Sequence, residues 1–99
     1  MKYAVSNPVR KMNASDVKSS IFPYTDNVKN ALLLFMKSFE WCAFTSAPVI
    51  DRITGEKVFD ADNARSDGKY QWYESDIYHL EKYNLKLNDD FIQHVLNRS

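Results

Sequence analysis

The sequence predicts an α+β fold with one central apolar helix, a small, mostly antiparallel sheet and two short C-terminal helices. Three observations predict it. The run Ala31-Leu32-Leu33-Leu34-Phe35-Met36 is apolar nearly all round, as in a helix covered on more than one side. Ser66-Asp67-Gly68 precedes the alternating aromatic run Lys69-Tyr70-Gln71-Trp72-Tyr73, a turn leading into a half-buried strand. After it come two helical patterns, each with its own start signal.

In chain order, Lys2–Val5 reads as a short edge strand ended by Asn7-Pro8. Arg10–Ser20 is polar, with one helical turn starting at Ser15-Asp16-Val17-Lys18, and Ile21-Phe22-Pro23-Tyr24 is an apolar anchor. Residues 1–24 thus form a partly irregular arm of a single small domain, 1–99. Thr25-Asp26-Asn27 caps the helix expected over Val28–Phe39. Glu40–Thr45 is rich in β-favouring residues and forms a strand or prolongs that helix, and Pro48 breaks either. Val49–Ile53 and Lys57–Phe59 flank the tight turn Thr54-Gly55-Glu56. Asp60–Asp67 reads as a polar loop.

On the strand Lys69–Tyr73, Tyr70 and Trp72 share the core face and Tyr73 points the other way. Ser75 is expected to cap the next helix, with Asp76 complementing its positive end; Ile77, Leu80 and Tyr83 lie on one side and Asn84 stops it. Asn88-Asp89-Asp90 starts the last helix, whose apolar face is Phe91, Ile92, Val95 and Leu96.

Composition narrows the function. No apolar run approaches the ~20 residues that cross a bilayer. The N-terminal stretch lacks a signal-peptide core and the single cysteine cannot form an internal disulfide, so a cytoplasmic location is expected. Net charge is zero but unevenly spread: Lys2, Arg10, Lys11 and Lys18 face only Asp16 in residues 1–24, whereas residues 51–90 hold ten carboxylates against six basic residues. The basic arm is too sparse for a nucleic-acid groove, and the acidic half repels phosphates.

There is no nucleotide loop, metal-ligand cluster or catalytic set, and no cofactor is expected. Cys42 with His79 or His94 offers a formal nucleophile and base, but its apolar neighbours predict a buried structural thiol. Asp60–Gly68 resembles a calcium loop only superficially, with glycine at the ninth place instead of the sixth and no closing Glu. Asp89-Asp90 suits a helix N-terminus better than acid–base work. Most aromatics, Trp41 among them, are expected in the core; the phase of Tyr73 and Tyr78 leaves them exposed beside acids, where aromatics anchor partners.

The run Ser66-Asp67-Gly68-Lys69-Tyr70-Gln71-Trp72, followed by Tyr78, Lys82-Tyr83, Leu85, Leu87 and Phe91, resembles the C-terminal segment of a group of small bacterial proteins. Some of that group are similar to immunity proteins, which protect a cell from its own polymorphic or contact-dependent toxin. The resemblance covers about a third of the chain, and its motif is structural, not catalytic; where the group often carries Pro before the acidic pair, this chain has Asn88. It implies a binding protein whose partner is a cognate toxin domain, for example a basic nuclease. The acidic half then supplies the expected contact set Asp62, Asp67, Tyr73, Glu74, Asp76, Tyr78 and Glu81, with charge steering association and aromatics anchoring it. The alternative is a small enzyme or ligand-binding domain with a pocket beside the central helix, which requires convergent polar residues.

Overall fold

The computed structural model describes residues 2–97 and shows an α+β architecture with a four-stranded mixed sheet, a separate two-stranded sheet and four α-helices among those residues. The strands are β1 (Lys2–Tyr3), β2 (Trp41–Ala43), β3 (Val49–Ile50), β4 (Lys57–Phe59), β5 (Ala64–Ser66) and β6 (Tyr70–Tyr73). The helices are α1 (Ala14–Lys18), α2 (Asp26–Lys37), α3 (Glu74–Tyr83) and α4 (Asp89–Leu96). In the larger sheet the order is β1-β6-β5-β2; β1 runs parallel to β6, and the other two pairings are antiparallel. β3 and β4 form the second sheet as a hairpin. None of the described helices is long and apolar enough to cross a membrane.

The Asp-Gly turn and the strand after it follow the sequence closely. Gly68 has φ +94°, a backbone conformation that L side chains resist, and Gly55 in the β3–β4 turn has φ +81°. Tyr70 and Trp72 are buried on one face of β6, where Phe91 of α4 meets them with ring centroids 5.2 and 5.4 Å away. Asn84 ends α3 in the left-handed conformation at φ 58°. Asn88 precedes α4 as expected, although its side chain is spent elsewhere, accepting from Ser6 Oγ and donating to the Tyr3 carbonyl.

Helix α2 departs from the expected Val28–Phe39. It begins two residues earlier because Thr25 Oγ1 accepts the Val28 N–H, and it stops at Lys37, where Ser38 donates from both its N–H and its hydroxyl to the Phe35 carbonyl. The last carbonyls of a helix have no partner within it. Trp72 Nε1 satisfies that of Met36 at 3.0 Å, and the Arg65 guanidinium satisfies that of Lys37 and also the Phe39 carbonyl just beyond the helix. The helix is also less enclosed than its apolar run implied. Leu32 and Met36 are buried against α3 and α4, but Leu34 is 76% exposed, so one face meets solvent.

Two further expectations are corrected, and the arm at residues 1–24 gains a packing role. Asp60–Asp67 is not all loop, since Ala64–Ser66 forms β5, the inner strand between β6 and β2. Its three residues have no apolar alternation; partners distant in sequence hold them, with the Asn63 carbonyl accepting the Glu74 N–H and Asn63 Oδ1 accepting that of Thr45. Cys42 is exposed instead of buried, because β2 is an edge strand with every residue open to solvent. The arm at residues 1–24 belongs to the core: Ala4, Val5, Val9 and Val17 are buried, and Tyr24 Oη bridges the Leu85 carbonyl and the Leu87 N–H at 2.8 Å each.

Candidate functional site

The structure divides the expected contact set into three groups. Asp62 and Asp76, at 0 and 1% exposure, flank the start of α3 and face inward. Both oxygens of Asp62 are taken by Ser75, through its N–H at 2.9 Å and its hydroxyl at 2.7 Å. Ser75 therefore does not cap the helix; Tyr73 holds that position, and Asp76 reaches back to accept its N–H at 2.9 Å and that of Val9 at 3.2 Å. Asp67 turns its carboxylate inward as well, accepting the Lys69 and Tyr70 N–H groups through Oδ1 and facing His94 Nε2 through Oδ2. Such carboxylates satisfy backbone donors that the turn or helix start would otherwise leave without partners, and they cannot also present charge to a partner.

The second group is aromatic. Tyr73 is 9% exposed, stacked on Tyr3 with centroids 6.3 Å apart beneath the Arg10 guanidinium. Tyr78 donates to Asp51 Oδ2 at 2.7 Å, as does Tyr83, while Asp51 Oδ1 accepts the N–H groups of Ile53 and Thr54. Four donors fill the acceptor capacity of one carboxylate. Lys82 Nζ lies 3.5 Å from Asp51 and donates to Tyr78 Oη, so the acid, two phenols and one ammonium close on themselves. Burial opposes ionisation of Asp51, but the Tyr78 and Tyr83 hydroxyls and the two N–H groups outweigh it and hold the carboxyl well below its usual range. The cluster ties the β3–β4 hairpin to α3. Nearby His79 is fully buried; its Nε2 accepts the Arg52 N–H, so Nδ1 carries the proton and donates to the Ser75 carbonyl. Burial pushes its pKa down, which favours this neutral form.

Burial pushes Asp76 up to about 7, against the Tyr73 and Val9 hydrogen bonds, with the neighbouring Asp62 charge adding to the rise. Its folded pKa then exceeds the unfolded value of about 3.9, so Asp76 favours folding most in acid and withdraws that support as pH rises from about 4 to 7. His79 acts in the opposite sense, since its folded pKa is lowered, and site-resolved measurement is needed to separate the two. A carbon-13 carboxyl titration of Asp76 is expected to show a midpoint near 7. A midpoint below 4 would mean that the two backbone donors dominate over burial.

The third group is Glu74 and Glu81. Glu81 is exposed and pairs with Lys37 at 3.1 Å, a surface ion pair of small energetic weight. Glu74 is largely covered, and its Oε1 accepts from Arg65 Nε at 2.6 Å and from Trp41 Nε1 at 2.8 Å. It thereby fixes the orientation of Trp41, whose ring also lies 5.6 Å from the Arg65 guanidinium carbon.

Trp41 is 48% exposed, contrary to its expected place in the core, and it belongs to an aromatic patch assembled only in the fold. Phe44 is 74% exposed and meets Trp41 edge to face at 6.1 Å; Phe59 of β4 is 50% exposed. Trp41 and Phe59 border one cleft of about 400 Å³, completed by Asp60, Ala61, Asn63 and Glu74. The two segments that carry the patch, residues 40–45 and 56–61, hold Glu40, Glu56 and Asp60 against Lys57 alone. No local signal marks it, because Trp41 and Phe59 lie on strands of different sheets. Among the described residues no three His, Cys, Asp or Glu side chains converge as metal ligands. Comparison of the chain with protein-family models, curated proteins and solved structures finds no match.

Proposed function

We propose that this is an immunity-type binding protein, acting in the cytoplasm, that neutralises a cognate bacterial toxin domain by docking the Trp41–Phe44–Phe59 face over its active site. The observation that carries the binding role is a tryptophan half exposed yet held by Glu74 and Arg65. An anchor already fixed in one orientation loses little conformational freedom on binding, and aromatic anchors of this kind dominate interface energies. Glu40, Glu56 and Asp60, on the two segments that carry the patch, favour a basic partner such as a nuclease and speed its approach. The resemblance of the C-terminal segment to small immunity-type proteins supplies the toxin as the class of partner. On this reading the contact face shifts from the acids of residues 62–81 to β2 and β4, with Glu74 acting from beneath.

The test is co-expression with candidate toxin domains from neighbouring genes, scored by surviving cells. The wild-type chain is expected to protect. Phe44→Ala combined with Trp41→Ala is expected to weaken binding by about 2–4 kcal/mol, roughly 30- to 1,000-fold, and to abolish protection while the protein stays folded. Full protection by the double variant would remove this face from the function, and absence of protection by the wild type would remove the immunity reading.

A further inference from the structure

We infer that the cleft bordered by Trp41 and Phe59 is a receptor for an arginine side chain of the protein partner. Two aromatic side chains and two carboxylates, Asp60 and Glu74, line the same 400 Å³ space. Ring faces attract cations, and a guanidinium also stacks on them and forks toward carboxylate oxygens. The molecule already contains this recognition on one side of the same pair. Arg65 places its Nε 2.6 Å from Glu74 Oε1 and its guanidinium carbon 5.6 Å from the Trp41 centroid. Both hydrogen bonds to Glu74 from these residues use Oε1, and among the described residues Oε2 has no donor.

Asp60 adds a second carboxylate at the rim. Its only described ion pair is with Lys57 at 2.9 Å, and at 92% side-chain exposure such a pair opens readily. Ala61 and the rings offer apolar contact to the aliphatic stem of the incoming side chain. Lysine fits less well, because its compact ammonium is more strongly hydrated and cannot stack. The site recognises charge and planarity together, which a neutral urea group of the same shape does not supply.

The inference rests on the partner-binding reading above, but its first test needs no toxin. The full chain is titrated with N-acetyl-arginine amide, N-acetyl-lysine amide and N-acetyl-citrulline amide while the indole N–H resonances are followed. The Trp41 signal is expected to shift saturably with arginine, with that of buried Trp72 as an unmoved reference. Citrulline is expected to bind about tenfold more weakly, with lysine between them. Asp60→Asn, a substitution on an exposed side chain, is expected to weaken arginine binding about fivefold with the melting temperature unchanged. An equal response to citrulline, or no saturable shift in a folded protein, would overturn the subsite. A flat titration with cellular protection intact removes the arginine receptor and spares the toxin reading; a saturable one without protection does the reverse.

Discussion

Trp72→Ala is expected to destabilise the fold by about 4–6 kcal/mol. The side chain is fully buried, and Phe35, Phe39 and Phe91 surround it at centroid distances of 5.8, 5.8 and 5.4 Å. Truncating a core aromatic costs about 3–5 kcal/mol in lost burial and cavity formation. Removing the indole also leaves the Met36 carbonyl at the end of α2 without its donor, about 1 kcal/mol or more. Small domains are stable by only about 5–15 kcal/mol, so little margin is left. Urea unfolding followed by far-ultraviolet circular dichroism measures the effect. Trp72→Phe, which restores most of the ring packing and omits the N–H, is expected to recover more than half of it. A wild-type midpoint for the alanine variant would show that the interior of β6, α2 and α4 is not organised around this residue.

Asp51→Ala is expected to cost about 3 kcal/mol at neutral pH, because it removes the acceptor for two phenols and two backbone N–H groups at once. The loss has a defined pH dependence. The folded-state pKa of Asp51 lies below its unfolded value, so its contribution is fully present above about pH 4. As pH falls through the folded value the contribution disappears. The stability difference between wild type and variant is thus expected to be greatest near neutrality and to shrink in acid. Tyr78→Phe with Tyr83→Phe keeps the carboxylate and removes two of its donors, and should reproduce part of the loss. A pH-independent difference would mean that Asp51 contributes by shape and not as a carboxylate.

The local signals were the legible ones. Gly68, the alternation of Tyr70 and Trp72, the Asn84 stop and the Thr25 cap each depend on a few consecutive residues, and each lies where those residues predict. Strand β5 was hidden because Ala64-Arg65-Ser66 owes its conformation to β2 and β6 on either side. The inward turn of the acids is hidden for a related reason: a carboxylate counts as a surface charge only when the backbone does not claim it. Asp51 and Asp67 make the same turn, each accepting the N–H groups two and three residues onward through Oδ1. Asp preceding a Gly-containing turn is a readable pattern for that capture. The pairing of Asp62 with Ser75 joins residues thirteen apart and has no comparable local signature. Nor does the patch, since Trp41 and Phe59 meet only through folding of both sheets.

The parallel seam between β1 and β6 constrains the order of assembly. Lys2 pairs with Tyr70 and Tyr3 with Gln71, Val9 donates to Asp76, and Asn88 donates to Ala4. In a nascent chain Ala4, Val5 and Val9 emerge before their cover, since the contacts of this stretch span from 67 residues (Val9 to Asp76) to 84 residues (Ala4 to Asn88). Contacts of such separation require closing a long loop before any of them contributes, which slows folding. Until α3 and α4 have emerged, this apolar stretch has nowhere to go and is open to chaperones and to neighbouring chains. The β3–β4 hairpin can form early from local contacts alone, whereas the sheet that carries β2 closes late.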